Sequence, residues 1–225
     1  NPQEIILSDE IRQKKWHQYY SEKRIVHQWM QVHLLENLKV SRVLEIGPYL
    51  GLVSAMIRNA GYEVSSFDIV EEADITGDVR NLDVSEIKNY DFDLVICCET
   101  LEHLPFNEVG TVLHKISETG IKYLILSVPF SGNQFGFSIY WNKYFFKKHA
   151  LLKNFMGSKH FPAPAPDSAD LQDHHWEIGY RNMPLTRWQG KVEENFRVLR
   201  TEFTSGCRSV FFLCENKNCE TDLDA

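Results

Sequence analysis

The sequence predicts an α/β fold built on a mostly parallel sheet that is covered by helices on both faces. Short apolar runs alternate with segments of helical periodicity, and such strand–helix–strand repetition is typical of a doubly wound sheet with right-handed crossovers. The runs lack the polar–apolar alternation of a half-exposed strand, which indicates strands buried on both faces. The length of 225 residues suits a single domain over residues 1–225.

The first predicted element is an N-terminal helical segment over residues 8–39. Its apolar and aromatic side chains recur at three- and four-residue steps, as they do on one face of a helix. Trp16 and Tyr19 are therefore expected to pack in the core. The recurring residues are Trp16, Tyr19, Tyr20, Ile25, Trp29, Val32 and Leu35.

The alternation that follows predicts strands at residues 43–46, 64–68, 93–98 and 123–128 and helices at 52–60 and 107–119. Gly61 and Gly120 close the two helices, and Pro129 stops the last of these strands. Toward the C-terminus the pattern predicts a helix near residues 184–195 and two strands, at 196–204 and 209–215. A turn at Ser205 and Gly206 would make these two strands antiparallel.

Residues 130–172 interrupt the alternation and are predicted to form an inserted lid, called the insertion below. Aromatic residues and lysines crowd together in it, and a Pro/Ala spacer follows at residues 162–166. Three interpretations stay open: the insertion builds a ligand pocket, lies on a membrane surface, or stacks on a nucleic acid. Periodicity does not reveal its fold.

Composition excludes some classes of protein. A net charge of -7 argues against a protein whose main partner is a phosphate backbone. No apolar run approaches the ~20 residues of a membrane-spanning helix, and no signal peptide is visible. The five cysteines form no C-x-x-C pair, which predicts reduced thiols and a cytoplasmic location. The oligomeric state cannot be read from the sequence.

The most informative stretch is the strand and turn over residues 43–51. Glu45 ends an apolar run, and Gly47 and Gly51 follow it, so backbone N–H groups can approach a ligand closely. Asp68 ends the next apolar run, at the distance where an acidic residue takes both hydroxyls of a ribose. These residues predict a nucleoside site. A dinucleotide fingerprint would need glycine where Tyr49 stands, which weakens, but leaves open, an NAD-dependent oxidoreductase.

This acid–x–Gly pattern resembles the first motif of class I S-adenosylmethionine-dependent methyltransferases. The resemblance spans residues 40–130 and the terminal strand pair, and implies a Rossmann-like, seven-stranded, mostly parallel sheet. Ser117–Gly120 departs from it by lacking the Pro-Gly-Gly often found there. It also implies an N-terminal helix that closes over the cofactor, where a Tyr (Tyr19 or Tyr20) or Arg24 touches its carboxylate. The implied cofactor-binding residues are Glu45, Gly47, Pro48, Gly51, Asp68, Ile69, Asp78, Val79 and Glu99.

A second motif follows the strand at residues 93–98. Glu99, Glu102 and His103 form an E-x-x-E-H turn that can aim three ligands at one point. A fourth ligand, His174, is expected from the stretch Asp173–Glu177. Two carboxylates with two imidazoles suit a divalent cation such as Mg²⁺ with open positions for substrate oxygens.

Two methyltransferase groups look similar at this turn: the small-RNA 3′-terminal 2′-O-methyltransferases and the ubiquinone-biosynthesis O-methyltransferases. Their resemblance implies that a cation grips vicinal hydroxyls and lowers the pKa of the one that is methylated. It assigns the catalytic roles to Glu102, His103 and His174. A metal-free alternative makes His103 the proton acceptor, and a purely structural turn is the third reading.

The expected function is O-methylation of a small hydroxylated molecule. Three alternatives stay open: 2′-O-methylation of an RNA 3′ end, an S-adenosylmethionine-binding module without turnover, and the oxidoreductase named above. A small-molecule substrate is the expected partner, since the net charge disfavours nucleic acid. Peripheral membrane contact through the insertion is the remaining partner hypothesis.

Overall fold

The computed structural model describes residues 9–142, 146–155, 173–204 and 209–219. The helices in this part are α1 (Asp9–Tyr19), α2 (Glu22–His33), α3 (Leu52–Asn59), α4 (Val84–Lys88), α5 (Phe106–Glu118) and α6 (Leu185–Val192). The strands are β1 (Arg42–Ile46), β2 (Glu63–Asp68), β3 (Ile75–Thr76), β4 (Leu94–Cys98), β5 (Tyr123–Pro129), β6 (Asn133–Asn142), β7 (Phe146–Phe155), β8 (Phe196–Phe203) and β9 (Ser209–Asn216).

Seven strands form one sheet in the order β3-β2-β1-β4-β5-β9-β8. The first five of these strands pair in parallel, and β9 pairs antiparallel with both β5 and β8. This arrangement confirms the predicted α/β fold with a seven-stranded, mostly parallel sheet. The carboxyl ends of β1, β2 and β4 therefore meet along one edge, where open α/β sheets bind ligands.

Both faces of the sheet are buried, as the apolar runs predict. Along β4, Val95 and Cys97 pack into the core beside α5 and α6, whereas Leu94 and Ile96 pack into the core beside α2 and α3. All of β4 is buried. A strand with apolar neighbours on both sides needs no polar alternation, which explains the sequence pattern.

The N-terminal helical segment consists of two helices and not one. Ser21 takes an extended backbone conformation, and its Oγ accepts a hydrogen bond from Arg24 N at 3.4 Å, so a new helix begins there. The expected core packing of Trp16 is wrong, because α1 is exposed along most of its length. The buried side of α2 carries His27, Met30 and Gln31, whereas Trp29 is 49% exposed.

The first part of the insertion is an antiparallel hairpin of β6 and β7. The Pro/Ala spacer, Cys207 and the turn at Ser205 and Gly206 lie outside the described residues. The cysteines in the described part are free thiols, as predicted for reduced cysteines. No helix of the described ranges is both long enough and apolar enough to cross a bilayer.

Candidate functional site

A cleft of about 580 Å³ lies at the carboxyl ends of β1, β2 and β4. This volume falls in the range of about 300–1,000 Å³ that small-molecule and cofactor sites occupy. Most of the residues predicted for cofactor and metal binding line it: Glu45, Gly47, Pro48, Asp68, Ile69, Asp78, Val79, Glu99, Glu102, His103 and His174. Gly51 instead caps the N-terminus of α3 with a φ of 75°.

The turn after β1 requires glycine at position 47. Gly47 has a φ of 75°, in the left-handed region that side chains disfavour. A Cβ at this position would lie 2.5 Å from Thr100 Oγ1. Gly47 N donates a hydrogen bond to Phe67 O at 2.9 Å, which ties the turn to the end of β2. The turn is therefore held close to the ends of β2 and β4, and the backbone of Gly47 lines the cleft.

Glu45 is a buried acid at the end of β1. Its side chain is 4% exposed and accepts a hydrogen bond from Ser54 Oγ on α3. Burial raises the pKa of Glu45 to about 7, and the Ser54 hydrogen bond only partly opposes that rise. Near neutral pH this carboxyl is therefore balanced between its neutral and charged forms.

Glu45 should make the stability of the ligand-free protein fall as the pH rises. The unfolded chain ionises near the ordinary value of 4.5 and the folded chain near 7, so the loss occurs between these two pH values. A rise in pKa from 4.5 to about 7 should lower the free energy of unfolding by about 3 kcal/mol across this range. Glu45→Gln keeps an acceptor for Ser54 and cannot ionise, so this loss should disappear.

Urea unfolding at about pH 5 and about pH 8 measures the effect, since two-state unfolding gives the free energy directly. Glu63→Gln is the matched control, because Glu63 is an exposed carboxylate at the start of β2. Equal pH dependence in the wild type and Glu45→Gln would contradict the assignment.

Two aspartates line the part of the cleft formed by β2 and the turn after β3. Asp68 Oδ1 accepts a hydrogen bond from Ile69 N at 2.6 Å. Asp78 is paired with Arg80, whose Nε lies 2.9 Å from Asp78 Oδ2, and hydrogen bonding from this guanidinium lowers the pKa of Asp78. Because Gly77 N donates to Asp68 O at 2.8 Å, the two aspartates belong to one local structure.

The N-terminal helices cover the cleft with polar and aromatic side chains. Tyr19, Tyr20 and Arg24 line it. The Tyr19 ring lies 4.4 Å from the ring of Tyr49 and 3.9 Å from the Arg24 guanidinium carbon. Burial raises the pKa of Tyr20 to about 12, so its phenol stays protonated at neutral pH.

Glu99 belongs to a buried hydrogen-bonded group. Ser127 Oγ donates to Glu99 Oε1 at 3.1 Å, and His27 Nε2 lies 3.2 Å from Ser127 Oγ and 3.5 Å from Glu99 Oε1. Burial opposes ionisation of Glu99, but hydrogen bonding and charge attraction from His27 outweigh it and lower its pKa. Glu99 therefore presents a charged carboxylate in the cleft. Its φ of 51° is unusual for a residue with a side chain.

Three of the four predicted metal ligands lie together. Ligand atoms of Glu102, His103 and His174 all lie within 4.8 Å of one another. Glu102 is fully buried, and the two imidazoles are partly exposed at the cleft. Glu99, the fourth predicted ligand, is not in this cluster and contacts His27 and Ser127 instead.

The cluster forms because the stretch Asp173–Glu177 packs against the turn after β4. His175 N donates to Glu102 O at 2.8 Å, and Trp176 Nε1 donates to Leu104 O at 2.9 Å. The Trp176 ring is buried and lies 4.9 Å from the Trp188 ring on α6. Two motifs about 70 positions apart are thus joined by a backbone hydrogen bond and by a core tryptophan.

His103 is held as a neutral imidazole. Burial and the neighbouring His174 ring lower its pKa below the ordinary value. Its Nδ1 lies 3.3 Å from Asp173 O, and a carbonyl oxygen only accepts hydrogen bonds, so Nδ1 carries the ring proton. Nε2 is left as the atom that can accept a proton or bind a cation.

Several residues that line the cleft were missed by sequence reasoning, among them His27, Gln31, Arg80 and Thr100. His27 and Gln31 had a detectable signal, because they stand with Met30 and Leu34 at the i, i+3, i+4, i+7 spacing of a buried helical stripe. Polar residues in such a stripe indicate a buried site. Thr100 and Arg80 had no comparable signal.

Comparison with known proteins identifies the fold. No protein-family model and no curated protein matches the sequence. Among solved structures, the N-methyltransferase NodS from Bradyrhizobium japonicum WM9, in complex with S-adenosyl-L-homocysteine, is similar with a TM-score of 0.54 and 12% identity, over 90% of this chain and 91% of that one. Magnesium protoporphyrin IX methyltransferase from Synechocystis PCC 6803, with bound S-adenosylhomocysteine, is similar with a TM-score of 0.55 and 16% identity, over 90% and 93%.

The small RNA methyltransferase HEN1 is also similar, with a TM-score of 0.52 and 14% identity. The match covers 88% of this chain and 26% of that one. At these identities the comparisons establish the fold alone. The chain has the Rossmann-like fold of S-adenosylmethionine-dependent methyltransferases, and its neighbours in that fold methylate different kinds of acceptor.

Proposed function

We propose that this protein is an S-adenosylmethionine-dependent O-methyltransferase that acts on a small hydroxylated molecule. The observation that carries the proposal is that two sets of residues share one cleft. The first set comprises Glu45, Gly47 and Asp68, and the second is the cluster of Glu102, His103 and His174. The first set suits a nucleoside cofactor, and the second suits an acceptor hydroxyl that must lose a proton.

The first set supports cofactor binding through its position and charge. The carboxylate of Asp68 stands at the end of β2, where it can accept hydrogen bonds from both ribose hydroxyls. Backbone at Gly47 leaves room for the methionine part of the cofactor. The cofactor sulfonium is cationic, and the Glu99 carboxylate contributes a negative charge to the same cleft.

The cluster also fits a divalent cation. One carboxylate and two imidazoles are a donor set for Mn²⁺, Co²⁺, Fe²⁺ or Zn²⁺, and an all-oxygen set would suit Mg²⁺ better. Glu102, His103 and His174 would hold the ion. When bound, it would lower the pKa of a coordinated hydroxyl and so favour the nucleophilic oxyanion.

The side chains themselves have two tasks in methyl transfer. They orient the acceptor oxygen in line with the methyl group, since the sulfonium is already an activated donor. The oxygen forms its bond to the methyl carbon as the carbon–sulfur bond breaks, and the electron pair stays on sulfur as a thioether. The hydroxyl proton leaves to a base. Without a cation, His103 Nε2 is a neutral acceptor for it, whereas if His103 holds a cation, solvent takes the proton.

The test is transfer of a labelled methyl group in a fractionated small-molecule extract, followed by mass spectrometry of the product. We expect label on a hydroxyl oxygen. Chelation should stop turnover, Mn²⁺ should restore it, and Glu102→Gln should reproduce the chelated state. Full activity in the presence of chelator would contradict the cation but not the methyltransferase. Cofactor binding without any labelled product would contradict methyl transfer and favour a binding module without turnover.

One observation favours a second candidate, 2′-O-methylation of an RNA 3′ end. The E-x-x-E-H turn and the stretch Asp173–Glu177 resemble the small-RNA enzymes in sequence, and they lie against each other here. Short RNAs with free and with blocked 3′ ends belong in the same labelling experiment. Label on the free end alone would favour RNA, and such binding should weaken steeply with salt.

A further inference from the structure

We propose that Glu177 is a positioning residue that sets the tautomer of His174, and that Ser131 ties this pair to the base of the insertion. The inference rests on the proposed function, because it deepens the account of the same Glu102, His103 and His174 cluster. It assigns a positioning role to two residues outside that cluster, Glu177 and Ser131.

The contact between Glu177 and His174 is short and well placed. Glu177 Oε1 lies 2.7 Å from His174 Nδ1, and the two side chains are 20% and 31% exposed. An ionised carboxylate only accepts hydrogen bonds, so Nδ1 must carry the proton. Nε2 of His174 is then the atom with a free lone pair, as Nε2 is in His103.

Both imidazoles of the cluster are thus prepared in the same way by different partners. His103 donates from Nδ1 to the backbone carbonyl of Asp173, and His174 donates from Nδ1 to Glu177. Hydrogen bonds of this kind fix ring orientation around metal and proton-transfer sites, and removing the partner typically weakens metal affinity ~10–100-fold. Glu177 therefore acts on the chemistry through His174.

Ser131 extends the arrangement to the insertion. Its Oγ donates to Glu177 Oε2, and its backbone N donates to Ile178 O at 2.8 Å. Ser131 lies between β5 and β6, so one carboxylate oxygen of Glu177 contacts His174 and the other contacts the base of the insertion. The position of the hairpin base and the orientation of His174 are consequently coupled through one carboxylate.

The chain offers a matched control with the same residue types and spacing. His33 Nδ1 lies 3.4 Å from Glu36 Oε2 near the end of α2, and the Glu36 side chain is 64% exposed. An exposed pair of this kind has little effect on its histidine. Glu36→Leu should therefore leave the cluster unchanged.

The experiment records the imidazole nitrogen and carbon resonances of ¹⁵N-labelled protein by NMR, without metal, cofactor or acceptor. We expect the Nδ1–H tautomer for His174 in the wild type and the Nε2–H tautomer in Glu177→Leu. Glu177→Gln, which keeps an acceptor oxygen, should fall between them. His103 should keep its Nδ1–H tautomer in every variant. Mn²⁺ alone, titrated by calorimetry, should bind ~10–100-fold more weakly to Glu177→Leu.

An unchanged His174 tautomer in a folded Glu177→Leu variant would overturn the proposal and leave methyl transfer intact. If the protein proves not to transfer methyl groups, the NMR result for the His174 tautomer is unaffected. Failure of the proposed function and failure of the Glu177 proposal are therefore distinguishable. If Glu177→Leu does not fold, Glu177→Gln and Ser131→Ala carry the test. Each of these two variants, if its melting temperature is near that of the wild type, should still move His174 toward the Nε2–H tautomer. An unchanged His174 tautomer in both variants would overturn the proposal.

Discussion

Asp68→Ala is expected to weaken binding of S-adenosylhomocysteine by about a hundredfold or more. Asp68 lines the cleft at the end of β2 and can serve both ribose hydroxyls. Hydrogen bonds to a charged group contribute about 1.5–3 kcal/mol each, and about 2.7 kcal/mol corresponds to a hundredfold in the dissociation constant. The alanine would leave two sugar hydroxyls without their charged acceptor. Isothermal calorimetry with the cofactor product measures the change.

Glu72→Ala is the matched control for this substitution. Glu72 is an exposed carboxylate four residues further along, so it changes the local charge equally without losing a cleft contact. Asp68→Asn, which keeps one acceptor and loses the charge, should bind with intermediate affinity. If Asp68→Ala binds S-adenosylhomocysteine with wild-type affinity, the assignment of this part of the cleft to a nucleoside is contradicted.

The second large effect is expected at His103. His103→Asn should lower kcat by about 10²–10⁴-fold, because general acid–base groups typically contribute that much. The asparagine amide is too short to place an atom where the imidazole Nε2 stands, so it neither accepts the hydroxyl proton nor replaces Nε2 as a ligand. Cofactor affinity should stay near the wild-type value. The comparison requires kcat and the dissociation constant of S-adenosylhomocysteine from the same preparation.

His175→Asn is the control for His103→Asn. His175 stands beside His174 and anchors the segment through its backbone N, while its side chain is not one of the described residues that line the cleft. The control should therefore keep its turnover. A His103→Asn enzyme with wild-type kcat would assign the proton transfer to another group.

The sheet was predictable because most of its strands are continuous apolar runs of adequate length. β1, β2, β4 and β5 lie within one or two residues of their predicted positions. β3 has two residues and α4 has five, and neither is long enough to produce a period. The break at Ser21 was missed because the helical spacing of apolar residues continues across it. A single capping hydroxyl decides such a break, and composition does not reveal it.

The candidate site was predictable where motifs lie at strand ends. Glu45, Asp68 and Glu102 line one cleft, since the parallel order of the sheet brings its carboxyl ends together. The contact of Glu99 with His27 was not predictable. It joins residues 72 positions apart, on elements whose relative orientation depends on the packing of α2. The same holds for the contact of Ser131 with Glu177.

The close approach of two glycines at the base of the insertion has a consequence for how the proposed methyltransferase could acquire new acceptors. A Cβ on Gly179 would lie 2.3 Å from Gly132 N, so the outgoing and returning chains touch there without side chains between them. The chain therefore enters the hairpin at Gly132 and passes Gly179 on its return at nearly the same point of the domain. Segments of other length and sequence could be exchanged between these anchor points during evolution or by design, while the proton-accepting groups keep their places.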